Sequence, residues 1–185
     1  MGWLILGVLL WGVSHEFKRL APGLRAGMGN AGKGLVAVAS LVALWLMVKG
    51  YKAADSTPLW QLGDWATYLN NLLMVPAVAL MGVGKSKSRL RGMIRHPMLT
   101  GLLVWVVAHL LVNGDLPSLV LFGGLGVWAV LSMRMINRAE PDYVPYTGGS
   151  VKGDIRLAVI TIVLFALIGG VHTWLGVNPF GGGGA

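Results

Sequence analysis

From Leu157 to Val177 the sequence carries no Asp, Glu, Lys or Arg, and similar runs recur along the chain. A water-soluble domain made from 185 residues cannot hide that many consecutive apolar side chains. A hydrocarbon layer of ~30 Å, by contrast, is crossed by a helix of about 20 of them. Six such segments stand out, at about Gly2–Leu20, Gly34–Tyr51, Trp65–Gly84, Pro97–Val112, Leu116–Met135 and Ile155–Val177. With 55% hydrophobic and 12% charged residues, little remains for a soluble domain. The expectation is an all-α integral membrane bundle of about six transmembrane helices. It forms one transmembrane domain over residues 1–180, followed by a glycine-rich disordered tail over 181–185.

The charges sort by loop. Thirteen of the fifteen basic residues follow segments one, three and five, and only Lys49 and Lys52 fall on the other side. The positive-inside rule then places those three loops in the cytoplasm and both termini outside, as for a multi-pass protein of a bacterial cytoplasmic membrane. The formal charge of +8 therefore reports topology and contact with the lipid bilayer, and gives no reason to expect nucleic acid. The absence of cysteine excludes disulfides, thiolate nucleophiles, iron–sulfur clusters and covalent haem attachment. Asp115 before Leu116-Pro117 is a helix N-cap signal.

Histidine inside a membrane span is costly unless it is paired or ligating, which makes His15, His109 and His172 candidates for function. Two of them share a pattern, Gly7-x-x-x-Trp11-x-x-x-His15 and Gly101-x-x-x-Trp105-x-x-x-His109. At i, i+4 spacing each set lies on one helix stripe, with a small residue that admits a close neighbour and an indole able to pack on the imidazole. The second stripe runs on to Asn113. Counting along straight helices puts His15 ~20 Å, His109 ~12 Å and His172 ~6 Å from the outer face, so either His15 or His172 can pair with His109. His96 sits at the inner boundary. Paired neutral imidazoles in an apolar bundle suit haem b, because no thiolates and no carboxylate cluster compete for another metal. Zinc asks for three or four converging ligands, and only Glu16 and Asp115 stand near enough to help.

The same residues carry a resemblance. Arg95-His96-Pro97-Met98, Trp105-x-x-x-His109 and Asn113-Gly114-Asp115 resemble the core of the NnrU family. The opening Gly12-x-Ser14-His15 with Leu20-Ala21-Pro22, and the closing His172-x-x-Leu175-Gly176-Val177-x-Pro179, are similar as well. Bacterial members of that family are associated with denitrification, that is, nitrite and nitric oxide respiration. Their relatives the zeta-carotene isomerases are integral membrane enzymes with b-type haem. The resemblance implies His15 and His109 as ligands of the haem iron, while the repeated pattern adds Trp11, Trp105 and Gly101 beside the cofactor and the depths add His172 as a reserve ligand. It makes Arg95, His96, Pro97, Asn113 and Asp115 the motif positions. Those isomerases have a cysteine three residues before the second histidine. Here that position is Val106, which removes a thiolate ligand switch.

Arg95-His96-Pro97 is also similar to the start of a motif in membrane methyltransferases. Those enzymes continue with a glutamate pair and a tyrosine-rich stretch, of which Glu140, Tyr143, Val144, Pro145 and Tyr146 are a compressed version. Three functions remain in play: a haem-binding accessory protein working with respiratory partners, a haem-dependent cis-trans isomerase of zeta-carotene or another polyene, and a haemless structural or lipid-binding bundle.

Overall fold

The computed structural model describes residues 1–181, and residues 182–185 of the expected tail lie outside the described residues. The described chain is helical, apart from an isolated bridge between Pro58 and Asp115. Its helices are α1 (Gly2–Leu20), α2 (Pro22–Gly27), α3 (Gly29–Lys52), α4 (Trp65–Val83), α5 (Leu90–Met93), α6 (Pro97–Val112), α7 (Leu116–Ala139) and α8 (Val151–Trp174). Each of the six apolar segments forms a helix. Four of these, α3, α4, α7 and α8, are long and apolar enough to cross a membrane, and α6 is a shorter apolar helix. This is an all-α membrane protein.

The helix ends depart from the sequence reading where the chain is polar. The third helix starts at Gly29, not near Gly34, because the turn after α2 continues directly into it. The last helix starts at Val151, four residues before Ile155, capped by Ser150 Oγ accepting from Gly153 N at 3.1 Å. It ends at Trp174, with Gly176 beyond it at φ 86°. Lys152, Asp154 and Arg156 thus lie on its first turns: the helix extends past the apolar run, and hydrophobicity alone does not mark its end. At α7 the expected cap is present, with Asp115 Oδ1 accepting from Ser118 N at 2.7 Å and Pro117 in the first turn.

The chain falls into two compact units, Met1–Trp60 with Gly114–Met135, and Gln61–Asn113 with Ile136 onward. In the first, α1 and α3 lie side by side. Gly7 faces Ala43 and Met47 while Gly50 faces Trp3 and Leu4, so the two helices run antiparallel. A Cβ on Gly7 would come within 2.7 Å of Met47 N and 2.9 Å of Ala43 O. The start of α7 is tied to this pair by Tyr51 Oη and Ser118 Oγ, 2.8 Å apart, and by Leu59 N and Trp60 N donating to Gly114 O. Residues Leu119–Gly123 of α7 form a π-helical turn.

In the second unit α6 packs antiparallel on α4 at equally short range. A Cβ on Gly101 would stand 2.8 Å from Ala77 O and 3.0 Å from Met81 N, and Pro97 approaches Gly84 at the other end of the pair. Pro76 lies within α4 without ending it. The first turns of α8 are held to the loop after α4 by Asp154, which accepts from Ser88 Oγ at 2.7 Å, Arg89 N at 2.9 Å and Arg89 Nε at 2.5 Å.

The surface is inverted relative to a soluble protein. Leu41, Trp45, Leu72, Ile162 and Leu167 are exposed, while Ser14, Glu16, Asn70, Ser118, Ser132 and Thr161 are buried. Lipid removes most of the hydrophobic drive between helices, so close backbone approach at small residues and interhelical hydrogen bonds hold each unit together. Trp3, Trp65 and Trp174 are exposed, as residues anchored at an interface would be, whereas Tyr51 is engaged with Ser118.

Two substitutions test this packing. Gly7→Val and Gly101→Val each force a β-branched side chain into a helix–helix contact and are expected to cost about 1–3 kcal/mol. Gly34→Val, where an added Cβ meets nothing within 4 Å, is the control and should change stability far less. Unfolding of the purified protein in detergent, followed by far-UV circular dichroism, measures all three.

Candidate functional site

In the first unit His15 is set among aromatic rings. Trp11 stacks on it with centroids 4.1 Å apart and planes at 29°. Trp128, from α7, meets His15 edge-on at 5.2 Å and Trp11 at 5.9 Å. Trp128 lies against Gly12, where an added Cβ would stand in ordinary contact with its Cδ1 at 3.5 Å. The imidazole is oriented by its own helix, because Nδ1 lies 2.9 Å from Trp11 O. A carbonyl oxygen only accepts, so Nδ1 donates its proton and the neutral ring keeps its lone pair on Nε2. Ser14 Oγ donates to the same carbonyl at 3.0 Å. The indole N–H groups of Trp11 and Trp128 are buried and have no acceptor among the described residues. Around His15 the structure therefore gathers an imidazole nitrogen, two indole rings and two buried, unpartnered indole N–H groups.

The next residue, Glu16, is buried, and its carboxylate accepts from Ser132 Oγ and from Arg19 Nη1 at 2.9 Å. This cluster neutralises the charge beside His15 and ties α1 to α7 within the unit. Sequence reasoning weighed Glu16 only as a weak metal ligand and passed over Trp128 and Ser132. Trp128 lies in a helix without a histidine, and no local pattern connects it to α1.

In the second unit the Trp–His pair recurs on α6. Trp105 and His109 have centroids 4.6 Å apart at 43°, and His109 Nδ1 lies 2.9 Å from Trp105 O. Asn113 Nδ2 donates to His109 O at 2.9 Å and closes the helix end. Gly101, two turns earlier, is taken up by contact with the α4 backbone, as Gly7 is by α3. On α8, His172 Nδ1 lies 2.8 Å from Ile168 O, the third histidine of this arrangement.

His96 is different. Its Nε2 lies 2.8 Å from Asn137 Oδ1, and the preceding Arg95 donates through Nη2 to Glu140 O and lies 4.8 Å over the Tyr143 ring. Arg91 lies 4.2 Å over Tyr146. The Arg95-His96-Pro97 motif thus holds the last turn of α7 and the segment after it against the start of α6, where Pro97 occupies the first helical turn. The tyrosines that looked like a compressed methyltransferase motif are the partners in this clamp. Asp115 of the Asn113-Gly114-Asp115 motif works as the α7 cap.

Among the described residues no three His, Cys, Asp or Glu side chains come together to hold a metal ion. The donor set is one of single imidazoles, His15, His109 and His172, each with Nδ1 held by a carbonyl of its own helix, and an indole packs on the first two. Imidazoles held through Nδ1 in apolar surroundings are of a kind that would hold a haem iron.

Comparison with known proteins gives one result. No curated protein and no solved structure matches the chain. The family model described as NnrU protein matches residues 3–179, and so includes both units and every histidine. A match of that extent, over a helical membrane protein with the motif positions in order, means that the chain belongs to the NnrU family.

Proposed function

We propose that this membrane protein binds a non-covalent b-type haem through His15 and His109, with His172 in reserve, and that it serves nitrite and nitric oxide respiration as an accessory protein. The observation that supports this most is the shared state of three imidazoles. His15, His109 and His172 each turn Nδ1 to the carbonyl four residues back, the kind of outer partner that fixes tautomer and ring angle in metal-ligating histidines. His96 instead uses Nε2 on Asn137. Haem, when bound, would supply one-electron redox chemistry. The chain's own residues hold the imidazoles through carbonyls of their own helices and pack Trp11 and Trp128 on His15 and Trp105 on His109. The denitrification role follows from the family resemblance.

The isomerase reading is weaker. At the position where the carotene isomerases have a cysteine, this chain has Val106, which is 6% exposed and packed. A buried valine offers the iron no second ligand to exchange. The proposal also includes six membrane crossings in a bacterial cytoplasmic membrane with both termini outside, supported by the segregation of basic residues.

Two experiments test these readings. Each histidine is replaced by alanine, and haem per protein and the reduced spectrum are measured. His15→Ala and His109→Ala should lose most of the haem or the bis-histidine spectrum, and His96→Ala should retain both. Full haem in the first two variants with loss in His96→Ala or His172→Ala would reject the assignment. No haem in the unaltered protein would favour the structural bundle. For topology, an alkaline phosphatase reporter fused after Ala185 should be active, and activity confined to a cytoplasmic reporter would refute the orientation.

A further inference from the structure

Four cations line one cavity of ≈ 560 Å³ in the second unit, between the end of α4, the loop that follows it and the first turns of α8. They are Lys85 and Lys87 from the loop and Lys152 and Arg156 from α8. No acidic residue lines the cavity. The acid nearest in sequence, Asp154, is committed to Ser88 and Arg89. Among the described residues none of the four cations has an ion pair. The remainder of the wall is of two kinds. Ser86 and Ser150 stand on the polar side, while Gly82, Leu157 and Ile160 lead along the apolar flanks of α4 and α8.

Topology alone asks only that basic residues lie on one side of the membrane. It does not ask that two separate stretches of sequence, 85–87 and 152–156, aim their charges into one hollow. Four unpaired cations around a cavity repel one another, and that repulsion falls when an anion enters. The cavity is amphipathic in the sense of a phospholipid, with a cationic head end and an apolar side wall on membrane-spanning helices. We propose that this cavity is a binding site for the phosphate of an anionic phospholipid, whose acyl chains lie along Leu157 and Ile160. Lys85, Lys87, Lys152 and Arg156 hold the headgroup, and Asp154 keeps the two walls together by anchoring α8 to Ser88 and Arg89. Basic hollows between membrane helices suit headgroups of this charge.

The shared chemistry is phosphate, and lipid and free anion are separated by experiment. Full-length protein in neutral detergent is titrated with phosphatidylglycerol, with phosphatidylcholine, and with inorganic phosphate, and bound lipid is counted by native mass spectrometry. The expected result is retention of phosphatidylglycerol at least tenfold stronger than of phosphatidylcholine, with inorganic phosphate competing only weakly. Lys152→Gln with Arg156→Gln should weaken phosphatidylglycerol at least tenfold. Arg25→Gln with Lys33→Gln, which removes the same charge elsewhere, should leave it within about twofold. The charge-preserving pair Lys152→Arg with Arg156→Lys should retain binding. Equal retention of both lipids by the unaltered protein, equal loss in the two glutamine pairs, or full displacement by inorganic phosphate would each overturn the proposal. The unaltered-protein arms decide it even if the Lys152/Arg156 pair fails to fold.

Discussion

Everything built into this chain depends on how closely two helix backbones can approach in a solvent that does not push them together. Lipid tails are as apolar as leucine, so burying a leucine between helices gains little over leaving it in the bilayer. Gly7 against α3 and Gly101 against α4 bring backbone to backbone at distances that a side chain would prevent. That contact fixes the rotation of α1 and α6 about their own axes. On each helix it also fixes the direction of the indole and imidazole one and two turns further on. The functional stripe and the packing stripe are one line of residues, with the glycine at one end serving stability and the histidine at the other serving chemistry.

Each helix also orients its own imidazole. The bond from Nδ1 to the i−4 carbonyl needs no partner helix, so it survives whatever the neighbouring elements do. What differs between the sites is the surrounding shell. His15 has a second indole from α7 and a neutralised carboxylate beside it, whereas His109 has Asn113 closing its helix. Buried networks such as Glu16, Ser132 and Arg19 hold well only when every member is satisfied. Here the two carboxylate oxygens are divided between a hydroxyl and a guanidinium, while the buried Nε of Arg19 has no partner among the described residues.

Much of this was legible in the sequence because the signals were local. Uncharged runs located the six helices, Asp115 and Pro117 marked the start of α7, and four-residue spacing placed each tryptophan over its histidine. Contacts between distant segments were not legible. The role of Gly7 and Gly101 depends on which helix lies opposite, and nothing near Trp128 or Ser132 points to α1. The same limit hid the clamp of Arg95 and His96 on Glu140, Tyr143 and Asn137, which read as a possible catalytic motif until its partners were visible. Helix ends were missed at Gly29 and Val151 for another reason: helices continue past the apolar run wherever a cap such as Ser150 sits further out.

The π-helical turn at Leu119–Gly123 has a consequence for how this chain tolerates changes in length. A π-turn accommodates one residue more than an α-helical turn over the same rise, so α7 holds a spare residue between Ser118, bound to Tyr51, and Trp128, packed on His15. Loss of one residue there can be absorbed by relaxation to ordinary α-helix, leaving both attachments in phase. A residue added or lost between Gly124 and Trp128 has no such reserve and would swing the indole by about 100° around the axis, away from the imidazole it covers. Within α7, length drift is therefore permitted on one side of Gly124 and forbidden on the other.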